Sequence, residues 1–170
     1  MPVALYRIDD RLIHGQVVLG WGRPLDVELV VVVDDELAAS EWEQELYRMA
    51  VPPDMEVRFA SVDDAARAHA AVAAGKKRAL VLAGDVLTMR RFVDAVRALG
   101  AAAPPVPAVN VGGVHHRPGR VQRMRYVFLS PDEESALRAL AAAGVQVTAQ
   151  DVPAARPVPL ADVLAGRVEA

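Results

Sequence analysis

The chain has 170 residues, the size of one domain with an ordinary core, and 53% of them are hydrophobic, which excludes a disordered chain. A net charge of −3 and the lack of any basic block argue against a nucleic-acid partner. The sequence has no cysteine, no signal-peptide pattern and no apolar run near the ~20 residues that span a bilayer, so we exclude disulfides and thiol catalysis and expect a soluble cytoplasmic protein.

Short apolar, β-branched runs along the chain predict β-strands. Most of them lack polar alternation, as is typical of strands that are covered on both faces. The predicted strands are 3–8, 29–33, 57–60, 79–83, 106–111, 126–129 and 145–148. Their number indicates an open sheet of about six or seven strands.

Helices are predicted in the intervals between these strands, and several carry start signals. Ser40 precedes Glu43 at capping-box spacing, and Ser130 is followed by Pro131 and Glu133. The predicted helices are 40–50, 61–75, 85–99, 131–144 and a short one at 160–164 within the tail 152–170. The alternation predicts a single domain of the α/β class, with three α/β/α layers around a mostly parallel sheet. The carboxyl ends of strands one, two, four and five would then share one rim.

The segment 7–17 carries most of the functional information. An apolar strand runs into Asp9, Asp10, Arg11 and His14, and a short amphipathic segment follows. Amide groups at a helix start favour anions, and the planar fork of arginine suits phosphate. His14 could therefore carry a phosphoryl group covalently. The alternative is a capping or surface histidine beside a solvated ion pair, but ligands of open α/β sheets bind at such strand ends.

The run RIDDRLIHGQVVLGW at 7–21 closely resembles the start of the enzyme IIB component of the mannose/fructose/sorbose class of the bacterial sugar phosphotransferase system. The likeness extends over essentially the whole chain, so we expect residues 1–170 to form one such domain. Its further parts are 31–36, 46–52, the Asn-Val-Gly-Gly turn within 109–113, and Gly119-Arg120. The loop 83–88 and Val114 depart from the pattern of that family.

This resemblance implies a phosphocarrier enzyme without a cofactor or metal. His14 would accept a phosphoryl group from a phosphohistidine on a IIA protein and transfer it to a sugar during uptake through the membrane subunits IIC and IID. The protein would then lie at the inner face of the membrane, associated with that permease. The alternative is a IIB-like regulatory or binding protein without a role in transport. The identity of the sugar and the oligomeric state are left open.

The chemistry of phosphoryl transfer suggests a role for each residue near His14. Arg11 would neutralise charge on the phosphoryl oxygens, with backbone N–H groups at Gly15 and Gln16 as further donors. Asp9 or Asp10 would orient the imidazole or hold Arg11, and the sequence does not distinguish the two carboxylates. It also leaves open which ring nitrogen of His14 reacts.

The Asn-Val-Gly-Gly turn after the fifth strand is the second part of the predicted site. Asn110, Gly112 and Gly113 are expected to form another wall of the phosphoryl pocket, and an ordinary tight turn is the alternative. His115 and His116 are adjacent and make a poor metal pair on their own.

Three further expectations concern the surface and the core. His69 lies in a helix rich in alanine and is predicted to be at the surface. Trp21 is at helical spacing from apolar residues and is predicted to belong to the core. Leu12 and Arg23 are predicted to contact the IIA partner near His14.

Overall fold

A computed structural model describes residues 2–166, and the centre of this part of the chain is a seven-stranded sheet. The strands lie in the order β3-β2-β4-β1-β5-β8-β9, and every pairing is parallel except that of β9 with β8. The bounds are β1 Val3–Ile8, β2 Leu29–Val33, β3 Glu56–Ala60, β4 Ala79–Ala83, β5 Ala108–Val111, β8 Gln146–Ala149 and β9 Val158–Pro159. The predicted α/β class and mostly parallel sheet are confirmed.

Helices cover both faces of this sheet. They are α1 Asp35–Ala38, α2 Glu41–Arg48, α3 Val62–Ala74, α4 Val86–Ala98, α5 Pro131–Ala142 and α6 Leu160–Ala165, with a π-helical turn at Gln16–Trp21 and a 3-10 turn at Gly100–Ala102. The predicted start of α5 is confirmed, because Ser130 and Glu133 form a complete capping box. Ser40 precedes α2 as predicted, but its side chain makes no cap hydrogen bond.

Alternate residues of the strands pack against the two helical layers. Val31 of β2 and Val81 of β4 belong to the apolar cluster beneath α3, α4, α5 and α6. Val30 and Leu80, one position earlier, belong to the cluster beneath the π-helical turn and α1. Strands with two buried faces read as unbroken apolar runs, which is why the sequence shows them so clearly.

The predicted strand at 126–129 is not part of the main sheet. Its residues form β7 (Val127–Leu129), which pairs antiparallel with β6 (Val121–Met124) in a separate hairpin. The sequence analysis missed β6 because Gln122 and Arg123 interrupt its apolar pattern. It also missed β9, an edge strand where Pro159 is tolerated because an edge position needs no second ladder donor. The last four residues of the predicted tail, 167–170, lie outside the described residues.

The prediction for His69 is wrong, because the side chain is buried. Its Nε2 lies 2.7 Å from the hydroxyl of Tyr6, and its ring packs edge-on against Phe92 with centroids 5.7 Å apart. The sequence of α3 gives no sign of this contact, because the partner, Tyr6, lies in the distant strand β1. The predicted core position of Trp21 is confirmed.

No helix within residues 2–166 is long and apolar enough to cross a membrane.

Candidate active site

The segment after β1 lies at the centre of the carboxyl rim. Asp9 N–H donates to the carbonyl of Ala83 at the end of β4, and Asp10 N–H donates to that of Gly113 beyond β5. The chain then turns sharply, with Leu12 N–H bonded to the Asp9 carbonyl and Leu12 at a φ of 56°. The helical segments that follow β1 and β5 lie on opposite faces of the sheet. A crevice opens at such a point in open α/β sheets.

Asp9 is the centre of the hydrogen-bond network at this rim, and its side chain is fully buried. Its Oδ1 accepts from Arg11 Nε at 3.1 Å, and its Oδ2 accepts from Arg11 Nη2 and Arg7 Nη2, each at 3.1 Å. Burial acts to raise the pKa of Asp9, but the hydrogen bonds and charges of Arg11 and Arg7 outweigh it, so its pKa lies below the ordinary value. Of the two carboxylates that the sequence left undistinguished, Asp9 therefore holds Arg11.

Asp10 has a different contact. Its carboxylate accepts from the backbone N–H of His115 at 2.7 Å and lies 2.7 Å from the Nδ1 of the same residue. Asp10 therefore fixes the loop that follows β5. His116 instead packs edge-on against Phe128. Among the described residues no group of histidines and carboxylates is arranged to hold a metal ion.

Arg7 is a site residue that the sequence analysis missed. Its guanidinium is fully buried and lies 4.5 Å from the centre of the Trp21 ring. It donates to four groups: the side chains of Asp9 and Asn110 and the carbonyls of Gln150 and Asp151. A charged residue inside an apolar strand was the available signal, because such a residue is buried only with partners.

Asn110 and Gly112 lie beside Arg7. The Asn110 side chain accepts from Arg7 and donates to Gln150 at 3.3 Å, and Gly112 N–H donates to the carbonyl of Ile8 at 2.7 Å. A Cβ on Gly112 would lie 2.2 Å from Arg7 Nη2. The glycine thus permits the close approach of the guanidinium, and Asn110 holds the guanidinium by a hydrogen bond. Gly113 lies nearer the rim, beside Asp9 and Arg11.

We expect Gly112→Ala to lower the free energy of unfolding by about 1–3 kcal/mol, the usual cost of overpacking a filled site. The added methyl group would displace a guanidinium that its partners hold in place. Urea denaturation measures the loss. Gly20→Ala is the matched control, because its Cβ would meet only Gln16 Cγ, at 3.7 Å. Equal stability of both variants and the parent protein would show that the guanidinium of Arg7 can move to accommodate the methyl group without a loss of stability.

The imidazole of His14 has two unlike nitrogens. Nδ1 accepts from the backbone N–H of Gln16 at 3.2 Å. Nε2 is buried, lies 3.7 Å from Asp9 Oδ1 and has no hydrogen-bond partner among the described residues. Since Nδ1 accepts, the neutral ring carries its proton on Nε2, facing the carboxylate. About a quarter of the side chain, 24%, is exposed, and this exposed part excludes Nε2.

Burial, followed by the positive charge of Arg11, lowers the pKa of His14 below its ordinary value, although Asp9 opposes the shift. The ring is therefore neutral near pH 7. Arg11 lies beside it with a side chain that is 35% exposed. Its Nη1 donates to Gln16 Oε1 at 2.8 Å. One N–H on each terminal nitrogen of Arg11 remains without an acceptor within the described part of the chain, and these donors can bind an anion.

The two residues predicted to contact a IIA partner, Leu12 and Arg23, lie in different places. Leu12 is buried, and its side chain packs against Gly84. A Cβ on Gly84 would lie 3.3 Å from Leu12 Cδ2. Arg23 is paired with Asp54, which lies two residues before β3 at the amino end of the sheet. The expectation that Leu12 is exposed is therefore wrong, and Arg23 lies at the amino ends of the strands, opposite to His14; contact of either residue with IIA stays a prediction.

The protein is of the α/β class, with helices on both faces of a mostly parallel sheet. A neutral histidine and an arginine fixed by hydrogen bonds lie at the central carboxyl rim, where they can bind an anion. The comparisons specify the class further. The family model described as PTS system sorbose subfamily IIB component matches residues 3–169. The chain belongs to this family of the phosphoenolpyruvate-dependent sugar phosphotransferase system (PTS), whose IIB components are phosphocarriers and phosphotransferases in sugar uptake.

Individual relatives agree with this assignment. The chain is 31% identical over 150 residues to the sorbose-specific EIIB component of Klebsiella pneumoniae, covering 86% of this chain and 85% of that protein. It is 32% identical over 158 residues to the N-acetylgalactosamine-specific enzyme IIB component 2 of Escherichia coli K12, covering 90% and 93%. The crystal structure of the IIBSor domain of the Klebsiella sorbose permease matches 99% of both chains with a TM-score of 0.85 at 27% identity. As a PTS IIB component, the chain works in general with IIA and membrane IIC and IID partners.

Proposed function

We propose that His14 is the residue that carries the phosphoryl group in this IIB protein, and that Nδ1 is the atom that bonds to phosphorus. The observation that supports this most is the contrast between the two ring nitrogens. Nε2 is buried against Asp9, whereas Nδ1 holds an acceptor lone pair toward the amide of Gln16. A nucleophile needs an available lone pair and in-line access, which the buried Nε2 lacks.

The acceptance step balances with these groups alone. Nδ1 attacks the phosphorus of a phosphohistidine on the IIA partner, the donor N–P bond breaks, and its electron pair returns to the donor imidazole. The Nε2 proton stays in place, so the phosphorylated His14 ring is cationic. Asp9 Oδ1, 3.7 Å from Nε2, stabilises that charge. The Gln16 N–H then donates to a phosphoryl oxygen.

Arg11 provides the main charge stabilisation during transfer. Its two remaining N–H groups reach the phosphoryl oxygens, while Asp9 and Gln16 hold the guanidinium plane. Gly15 and Gly113 supply backbone at the edges of the same space. Asp10 shapes that edge through His115, and Asn110 and Gly112 act on the site only through Arg7.

In the second step a sugar hydroxyl attacks phosphorus and releases its proton to solvent, while the N–P bond breaks and its electron pair returns to Nδ1. The membrane IIC and IID subunits present the sugar, so transfer takes place at the cytoplasmic face of the membrane. The whole chain, 1–170, acts there as one IIB domain. The transfer contact with IIA must form and release rapidly, which favours a small interface.

Reconstitution tests this function. Labelled phosphoenolpyruvate, the general phosphotransferase proteins and a cognate IIA should label the protein, and vesicles carrying the cognate permease should then discharge the label to sugar. Label that is accepted but never discharged to any tested sugar would indicate a regulatory IIB protein instead. A protein that accepts no label would overturn the carrier function altogether.

A further inference from the structure

A groove lined by apolar and acidic side chains lies directly beside the loop that carries His14. It has a volume of about 460 Å³. Leu12 and Ile13, the two residues before His14, form part of one wall, and Trp42 and Leu46 of α2 form part of the other. A partner that fills this groove would therefore contact the loop of the phosphoryl carrier.

The helix on the outer wall exposes two large apolar side chains among charged ones, and a third follows it. Trp42 is 68% exposed, Leu46 57% and Met49, just beyond the helix, 83%. None of the residues of α2 is buried. Large apolar side chains that are exposed side by side mark a surface that another molecule covers. Trp42 is also of the residue type most often found at the centre of interfaces.

The groove is bordered by negative charge. Asp34, Glu36 and Glu43 line it, and Glu41 extends the acidic surface along α2, where Glu45 is paired with Arg48. The opposite side of the rim differs, because the segment 115–125 after β5 contains four arginines and no acidic residue. Three of these arginines are paired with Glu133, Glu134 and Asp151, so that side is mildly basic. His14 therefore lies between an acidic, apolar face and a weakly basic one.

This asymmetry distinguishes the two partners of a IIB protein. A IIA donor arrives with an anionic phosphoryl group, which the acidic border of the groove repels. The cytoplasmic loops of membrane proteins carry an excess of lysine and arginine, which this border attracts. We propose that the groove between α2 and the His14 loop binds a basic, apolar cytoplasmic segment of the membrane permease. This proposal rests on the carrier function proposed above.

The two half-reactions of the carrier test this surface separately. The first is phosphorylation of the protein in solution by phosphorylated IIA. The second is discharge of the isolated phosphoprotein to sugar in inverted vesicles that hold the cognate IIC and IID subunits. Leu46→Glu removes an apolar contact, and Glu43→Lys reverses one charge of the border. Leu99→Glu, an exposed apolar position at the far end of α4, is the matched control.

We expect Leu46→Glu to raise the apparent Michaelis constant of the discharge step about tenfold, the usual effect of losing one interface anchor. Glu43→Lys should slow discharge more at low salt than at high salt. Both variants should accept phosphoryl groups from IIA at rates within about twofold of the parent protein. Leu99→Glu should leave both steps unchanged.

Other outcomes would overturn the proposal. Slower acceptance from IIA with normal discharge would assign the groove to IIA. Unchanged discharge in both variants would show that the permease does not use this surface, and equal loss in both steps would indicate damage to the His14 loop. Failure of the carrier function itself is distinguishable, because the unmodified protein would then accept no label or would fail to discharge it.

Discussion

His14→Ala should abolish acceptance of the phosphoryl group from IIA, reducing the label to background. The variant lacks the nitrogen that forms the bond to phosphorus, and Arg11 and Asp9 cannot replace it. The protein should still fold, because His14 is partly exposed and its Nε2 makes no hydrogen bond to a described residue. In the parent protein the adduct should be labile in acid and stable in base, as expected of a phosphoramidate.

His116→Ala is the matched control for this experiment. His116 is exposed and contacts Phe128 away from the Asp9 network, so this variant should take up label like the parent protein. Undiminished labelling of His14→Ala would refute the assignment. Attention would then turn to His115, which Asp10 holds at the same rim.

Arg11→Lys should slow phosphoryl transfer by about 10²–10³-fold, the usual effect of losing one electrostatic contact to a transition state. Arginine bonds both oxygens of Asp9 and also Gln16 through one planar group. Lysine would place a point charge there and could not keep these bonds while binding phosphate. Rapid-quench measurement of acceptance from IIA gives the rate, and the far-ultraviolet circular dichroism should be unchanged.

Arg23→Lys provides the same substitution at a distant site. Arg23 forms a bidentate pair with Asp54 at the amino ends of the strands, opposite to the rim that carries His14. An exposed pair of this kind contributes little, so transfer should proceed at the parental rate. If Arg11→Lys also retained the parental rate, Arg11 would be only a structural partner of Asp9.

Much of the fold could be predicted from the sequence because its main elements have local signals. Strands such as β2 are buried on both faces, so their apolar runs are unbroken. The start of α5 is encoded by a capping box within four residues. The hairpin of β6 and β7 and the edge strand β9 lack such signals, because their pairing depends on distant segments.

The candidate site divides in the same way. His14, Arg11 and Asp9 lie within six residues, so one motif places them together. The support of Arg7 comes from Asn110, Gln150 and Asp151, more than 100 positions away, and no local pattern indicates that these groups meet. The expectation of an exposed Leu12 was wrong for the same reason. The apolar side chain of Leu12 packs against Gly84, whereas Trp42 and Leu46 are exposed on α2, a segment for which the sequence analysis predicted no contact with a partner.

Attachment of the phosphoryl group to Nδ1 of His14 can be observed directly. Long-range proton–nitrogen correlation spectra of the phosphorylated protein, labelled with ¹⁵N in histidine, identify the nitrogen that is bonded to phosphorus. We predict that phosphorylation changes one imidazole only, that of His14, with the phosphoryl group on Nδ1 and the proton retained on Nε2. A phosphoryl group on Nε2, or on any other residue, would contradict the arrangement of Asp9, Gln16 and His14 described here.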